Sequence, residues 1–505
     1  MIACDVAIVG YGPTGMTLAA LLGQLGRRVV VLERYSGLYN LPRAACFDDE
    51  IMRLFQKLRV ADDVVRGAVA QEGYEWINAA GETLVSFEYD NPAPCGWPAL
   101  YMMFQPHMED VLDAHVKALP TVQVCQGVTV TALEQSADAV TLTGSDASGQ
   151  SVKVRARFVV GADGGNGFVR QALGSEVADY GFQENWLVCD FRMLRPVADL
   201  PTFRQVCSPA QPTAIVRIGP DHHRFSFMLN PDDTREEVTK PERVWARVES
   251  YISANDAELI RVANYTFRSR IVKQWRDRRV LLAGDAAHEM PPFLAQGMCS
   301  GMRDAHNLAW KLDFVLKGHR DSMLDTYQPE REPHVRFITE KAIELGRVQT
   351  MRDPVKARER DERLIAQRRA NQKPEKLRFP ALRGGLIADH GGLFPQAPVR
   401  RSGKSGRFDD VAGTGWSIVV SDSNLLDGLS GEQWIAWETI GGRYSSIGAS
   451  SDDHDLEDVE GVYGRWFAEN ACAAVVVRPD WHIYGTARSG AELSTLLHTL
   501  TRSLQ

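Results

Sequence analysis

Short apolar runs, broken by glycine, open the chain. Residues 4–9 (CDVAIV) and 28–33 (RVVVLE) are apolar without a polar face, the pattern of strands buried on both sides in a parallel sheet. A glycine turn and a helical pattern from Thr14 to about Leu25 join them, so the chain begins β-α-β. Residues 48–57 and 107–118 carry apolar positions at helical spacing. Residues 122–160 alternate like strands (VQVCQGVTV, AVTLTG, VKVRARFVVGAD), and so do 186–230 (WLVCDFRML, TAIVRIG, HRFSFMLN). From 298 to 317 the helical period returns, and GMRDAHNLAWKL reads as a core helix with a polar outer face. Strand-rich segments thus interrupt two nucleotide-binding-like stretches, which predicts a second sheet inserted into the first domain. Residues 352–378 hold ten Lys/Arg against five Asp/Glu and few large apolar side chains, the composition of a solvated helix or linker. After a Gly- and Pro-containing connection at 380–407, the runs 416–420 (WSIVV), 433–438 (QWIAWE) and 472–478 (CAAVVVR) read as strands of a small separate α/β domain.

The turn Gly10-Tyr11-Gly12-Pro13-Thr14-Gly15 fits GxGxxG. Gly10 permits the tight turn, Gly12 lets backbone approach a pyrophosphate, and Gly15 lets the helix pack on the sheet. The helix start offers unpaired N–H groups and a positive dipole end to phosphate. Glu33 ends the second strand, 18 residues beyond Gly15, where a carboxylate can accept from ribose hydroxyls. Two further stretches, GADGG at 161–165 and VLLAGDAAH at 280–288, each place an Asp beside glycine at the end of an apolar run. A dinucleotide site follows from the three together.

Composition narrows the class. The 505 residues are 44% hydrophobic and 24% charged with a formal net charge of −8, which excludes a collagen-like or wholly disordered chain and lacks the basic footprint of a nucleic-acid binder. No apolar run reaches the roughly 18 residues of a membrane span. The N-terminus has no basic leader and is broken by Gly10, Gly12, Pro13 and Gly15, so it reads as structure and not as a signal peptide. The eight cysteines form no CxxC pair and no zinc-finger spacing, so buried free thiols, no metal and a cytoplasmic location are expected.

With these motifs in this order, the sequence resembles the single-component FAD-dependent aromatic hydroxylases, typified by para-hydroxybenzoate hydroxylase, and most closely their 3-(3-hydroxyphenyl)propionate hydroxylase branch. The likeness is strong over about residues 3–345 and weaker beyond. It implies an α/β and α+β fold: a Rossmann-like FAD-binding domain over 1–175 and 265–345, an inserted mixed β-sheet substrate domain over 176–264, a helical or loop linker over 346–407, and a thioredoxin-like C-terminal domain over 408–505. That last domain has only Cys472, so it is expected to be structural or to serve assembly.

The resemblance also implies site roles. Gly10, Gly12, Pro13, Thr14 and Gly15 would surround the FAD pyrophosphate, with Glu33 and Arg34 at the adenosine ribose. Arg43 would lie near the flavin phosphates and ring, with Gln105 contacting the cofactor. Asp163 belongs to a DG motif linked to FAD and NAD(P)H, and Gly284 and Asp285 to a GD motif at the ribityl or phosphate region. Pro292, Gly297 and Met298 would face the flavin, where a helix start stabilises negative charge. Proton-acceptor candidates are His288, Asp48 and Asp49; against these stand a structural histidine and a helix cap. Arg217, His223, Phe225, Phe227 and Pro292 are the substrate-binding candidates, an arginine there serving to clamp a carboxylate; only half the side chains of such an alternating strand face the pocket.

The implied activity is NADH- or NADPH- and O2-dependent hydroxylation of a 3-(3-hydroxyphenyl)propionate-like phenolic acid through a flavin C4a-hydroperoxide. The alternatives are a tailoring oxygenase of a polycyclic aromatic metabolite, a flavin reductase or oxidase, and a non-catalytic flavin- or prenyl-binding protein of the same fold. Implied partners are a small aromatic substrate and O2, with no nucleic acid or membrane, and a homodimer by analogy.

Overall fold

The computed structural model describes residues 1–374, 376–449 and 455–504, which include every candidate site residue. Its first sheet has a parallel run in the order Val280–Leu282, Ser151–Gly161, Ile2–Val9, Val29–Glu33 and Val122–Gln126. The apolar runs become inner strands because both faces are covered: Val6, Ala7, Ile8 and Val31 are fully buried. Register brings the sequence-distant motifs together. Val9 is opposite Gly161, and Gly161 is opposite Leu282, so the glycine turn, GADGG and AGDAAH leave the same sheet edge side by side. Ligands of open parallel sheets bind at such carboxyl-terminal edges.

The second sheet has eight strands in the order His288–Glu289, Ala257–Val272, Val177–Met193, His222–Met228, Thr213–Arg217, Phe203–Val206, Gly73–Ile77 and Thr83–Glu88. All neighbours are antiparallel except Phe203–Val206 beside Gly73–Ile77. One face packs on the helix Pro241–Val248 through Phe191, Phe225, Phe227 and Val244. The other roofs a cavity.

The C-terminal sheet has seven strands. Ser417–Val420, Arg443–Gly448 and Leu456–Asp458 run parallel, and Ala474–Val477 and Ile483–Ala487 continue antiparallel from Ser417–Val420. With the helices Gly431–Thr439, Val462–Glu469 and Gly490–Leu504, this is a thioredoxin-like β-α-β plus β-β-α arrangement. QWIAWE, expected as a strand, is instead part of the helix Gly431–Thr439. Ser430 and Gln433 cap its start reciprocally, and that local signal outweighs an apolar run too short to reveal its period.

The helix Gly297–Leu316 lacks the expected polar outer face: Arg303, Asp304, His306, Asn307, Lys311 and Asp313 are all buried. The helix Pro354–Arg369 is solvated as its composition predicts, with only Ala357 and Arg360 buried. No helix among the described residues is long and apolar enough to cross a membrane.

Candidate active site

A continuous cavity of about 3100 Å³ runs from Glu33 and Arg34, past Gly12, Arg43 and Asp285, to Gly297 and Met298, and on beneath the second sheet. That is about three times the roughly 1,000 Å³ upper end of ordinary ligand pockets. The glycines at its floor differ in what they permit. Gly10 has φ +104°, and a Cβ there would lie 2.3 Å from the Ala162 carbonyl oxygen. A Cβ on Gly15 would lie 2.2 Å from the Gly10 oxygen. Gly12 is open: only the Arg43 guanidinium comes near, at 3.9 Å. Gly12 caps the helix Pro13–Gln24 without a side-chain hydrogen bond, so the first-turn N–H groups face open space beside a cation.

The rest of the cradle suits FAD. Glu33 accepts from the Tyr11 and Tyr35 N–H groups at 2.8 and 3.0 Å, which aims its remaining lone pairs at the cavity. Arg34 lies over the Tyr35 ring. Gln105 accepts from the Arg43 and Ala44 N–H groups and donates to Glu109, which also pairs with Arg43, so it shapes the 43–44 turn. Asp163 accepts from the Val169 N–H at 3.0 Å, leaves one buried oxygen without a partner, and is raised by burial. Desolvation likewise raises Asp285. Thr14 lies against Gly284 and Gly301, so the first helix, the GD motif and the helix Gly297–Leu316 meet at one point. Gln296 provides no side-chain cap for that last helix, whose first N–H groups open to the cavity with Pro292 beside them.

The three proton-acceptor candidates separate. His288 does not line the cavity. It is buried and paired at 2.6 Å with Asp304, which also accepts from Arg331 and from the Gly284 N–H. Asp304 thus links His288 to the GD loop, an arrangement that fits the structural-histidine alternative. Asp48 caps the helix Asp49–Leu58 through the Ile51 N–H and pairs with Arg303 at 2.5 Å. Asp49 lines the cavity, accepts only from the Cys95 N–H at 2.9 Å, and is pushed up to about 7 by burial and by Asp48. Arg303 also binds Glu50 and Gln296, a junction the sequence reading missed because it treated this face of the helix as solvated.

The substrate-roof candidates on the second sheet are placed on the wrong parity. His223 is buried against the Pro201 carbonyl and lowered to about 4 by burial, and Phe225 and Phe227 fill the outer core. Arg217 donates to the Gly219 and Pro220 carbonyls. The cavity face carries Trp186, Val188, Phe203, Ala214, Val216 and Ser226. Arg224 also lines the cavity, but Asp190 at 2.6 Å and the Pro42 and Arg43 carbonyls hold it. Pro292 is the one substrate candidate at the cavity wall.

Residues 3–342 match the FAD binding domain family, and residues 391–503 match the HcaD C-terminal domain family. The chain is 60% identical to a probable NADH-specific resorcinol 4-hydroxylase of Rhodococcus jostii (strain RHA1), over 99% of this chain and 95% of that one. It is 32% identical to the 3-(3-hydroxy-phenyl)propionate/3-hydroxycinnamic acid hydroxylase of Escherichia coli (strain K12), over 96% and 92%. Aklavinone-11 hydroxylase, solved with FAD and aklavinone, shares the fold with a TM-score of 0.80 at 24% identity over 99% of both chains. Cradle and likeness agree, and this chain belongs to the FAD-dependent aromatic hydroxylases.

Proposed function

We propose that the protein is an NADH-dependent hydroxylase that places one oxygen at the 4-position of resorcinol or a close 1,3-dihydroxybenzene. The observation that carries this is the 60% identity over nearly the whole chain to the Rhodococcus protein, against 32% to the phenylpropionate branch. The roof supports it. Its central strands present aromatic, aliphatic and hydroxyl groups; Arg224 there is held by Asp190 and the Pro42 and Arg43 carbonyls, and Arg268 on the strand Ala257–Val272 also lines the cavity. Trp186, Phe203 and Ser226 suit a small aromatic ring bearing hydroxyl groups.

When bound, FAD supplies the electron transfer from NADH and the activation of O2. Gly12, Arg43 and the start of the first helix would hold its phosphates, Glu33 its ribose, and the Gly297 and Met298 N–H groups its ring. These same N–H groups favour negative charge at that edge. Asp49 would accept a phenolic proton. The 4-position of resorcinol is ortho to one hydroxyl and para to the other, so loss of either proton enriches that carbon in electrons. Trp186, Phe203 and Phe293 exclude water from the reacting face.

The test is NADH consumption by FAD-loaded protein with resorcinol, 3-(3-hydroxyphenyl)propionate and a polycyclic phenol, following peroxide and product mass. The expected result is strong stimulation by resorcinol, one oxygen added to give benzene-1,2,4-triol, and little peroxide. A higher kcat/KM for the acid or the polycyclic compound would overturn the proposal.

A further inference from the structure

The helix Gly297–Leu316 carries Arg303, His306, Asn307, Trp310 and Lys311 at positions i, i+3, i+4, i+7 and i+8, one continuous stripe. The whole stripe is buried. Buried polar groups need partners. Arg303 and Lys311 find Asp48, Glu50 and Glu330 within the FAD-binding part. The C-terminal domain supplies the acceptor for Asn307 and Trp310 and a second cation for Glu330. Its turn Arg478–His482 joins the strands Ala474–Val477 and Ile483–Ala487 and inserts among three helices of the FAD-binding part. Asp480 accepts from Asn307 and Trp310, each at 3.1 Å. Arg478 binds Asp480 and Glu330, each at 2.7 Å, and Glu330 also accepts from Lys311 at 2.7 Å. Two cations and two anions balance there without solvent.

The same domain grips the helix Asp49–Leu58. Arg53, 1% exposed, is bidentate to Asp409 at 2.7 and 2.8 Å and stacks over Trp481. Lys57 donates to the Pro479 carbonyl at 2.7 Å and meets His306 at 3.0 Å. Both gripped helices start at the cavity. One begins with Asp48, Asp49 and Glu50, the other with Gly297 and Met298, and Arg303 bridges their first turns through Asp48, Glu50 and Gln296.

We propose that the C-terminal domain is a positioning element of the active site. Its 478–482 turn and Asp409 set the relative height of these two helices, and so the placement of the carboxylates and of the flavin-facing N–H groups. Arg53, Lys57, Asn307 and Asp480 are positioning residues. The inference rests on FAD binding and is independent of which phenol is hydroxylated.

The test compares the FAD-loaded wild type with Lys57→Met and Asp480→Asn, using Val244→Ala in the far core of the second sheet as a control for destabilisation alone. The readouts are the visible flavin spectrum, hydrogen exchange of residues 48–51 and 297–303, the melting midpoint, and the peroxide released per NADH. The two positioning variants are expected to shift the flavin spectrum, to speed exchange at both helix starts, and to raise the peroxide share roughly threefold or more. Val244→Ala should lower the midpoint and change none of these. Spectra, exchange and peroxide matching the control would overturn the proposal, and Lys57→Met decides where Asp480→Asn gives no folded protein. The spectrum and the exchange remain readable even if resorcinol proves not to be the substrate.

Discussion

Asp49 stands beside two carboxylates, and the one arginine in reach is taken by Asp48 and Glu50. Burial first and Asp48 second push it up from the usual 3.8 to about 7. A raised acid favours the fold while it is protonated. Its contribution is full below 3.8 and is lost as pH rises through about 7. Asp49→Asn should therefore melt higher than wild type at pH 8, with the gap closing toward pH 4 in a melting series. It should also lower kcat by roughly 10²-fold and abolish the rise of kcat near pH 7. Unchanged activity would remove Asp49 as the proton acceptor. The sequence names Asp48 and Asp49 alike, because their division of labour depends on Arg303, some 250 residues away in the chain. Gly10 is different: its φ of +104° is a local property of the turn, so the motif carries it.

At the scale of the element, the strand His222–Met228 shows what alternation does and does not say. The period of two is plain, yet both faces are buried, one by the helix Pro241–Val248 and one around the cavity. Apolar residues mark the helix-packed face here, so choosing phenylalanines for the pocket selects the wrong side. Phe225→Ala should cost about 3–5 kcal/mol in denaturant unfolding and leave KM for the phenol unchanged. Ser226→Leu, on the cavity face, should raise that KM roughly tenfold with little change in stability. The reverse pattern would mean that the register is mistaken. The helix Gly297–Leu316 misleads for a related reason: its polar stripe matches that of a surface helix, and partners distant in the chain, from the FAD-binding part and from the C-terminal domain, cover it.

For the whole molecule, docking of the C-terminal domain depends on buried charge. Burial alone would push Glu330 up, but Arg478 and Lys311 hold it down at about 2. A depressed acid stabilises the fold above its usual 4.5, and the contribution is lost as pH falls toward 2. Glu330→Gln leaves two buried cations short of a partner, which should cost about 3–5 kcal/mol near pH 7. Its melting midpoint should approach that of wild type as pH falls from 4.5 to 2, and a gap independent of pH would contradict the role of this ion cluster.

By itself, the sequence determined the β-α-β start and the three glycine-bearing motifs, each resting on a local pattern or a turn that a few neighbouring residues dictate. The motifs in their order carried the resemblance that implied the flavoprotein family and the thioredoxin-like end. The tertiary structure alone decided which parity of the second sheet meets the cavity, that His288 pairs with Asp304 away from the cavity while Asp49 lines it, and that the polar face of the helix Gly297–Leu316 is covered. These depend on pairings across hundreds of residues, where burial and charge are settled by what packs against a side chain and not by its neighbours in the chain.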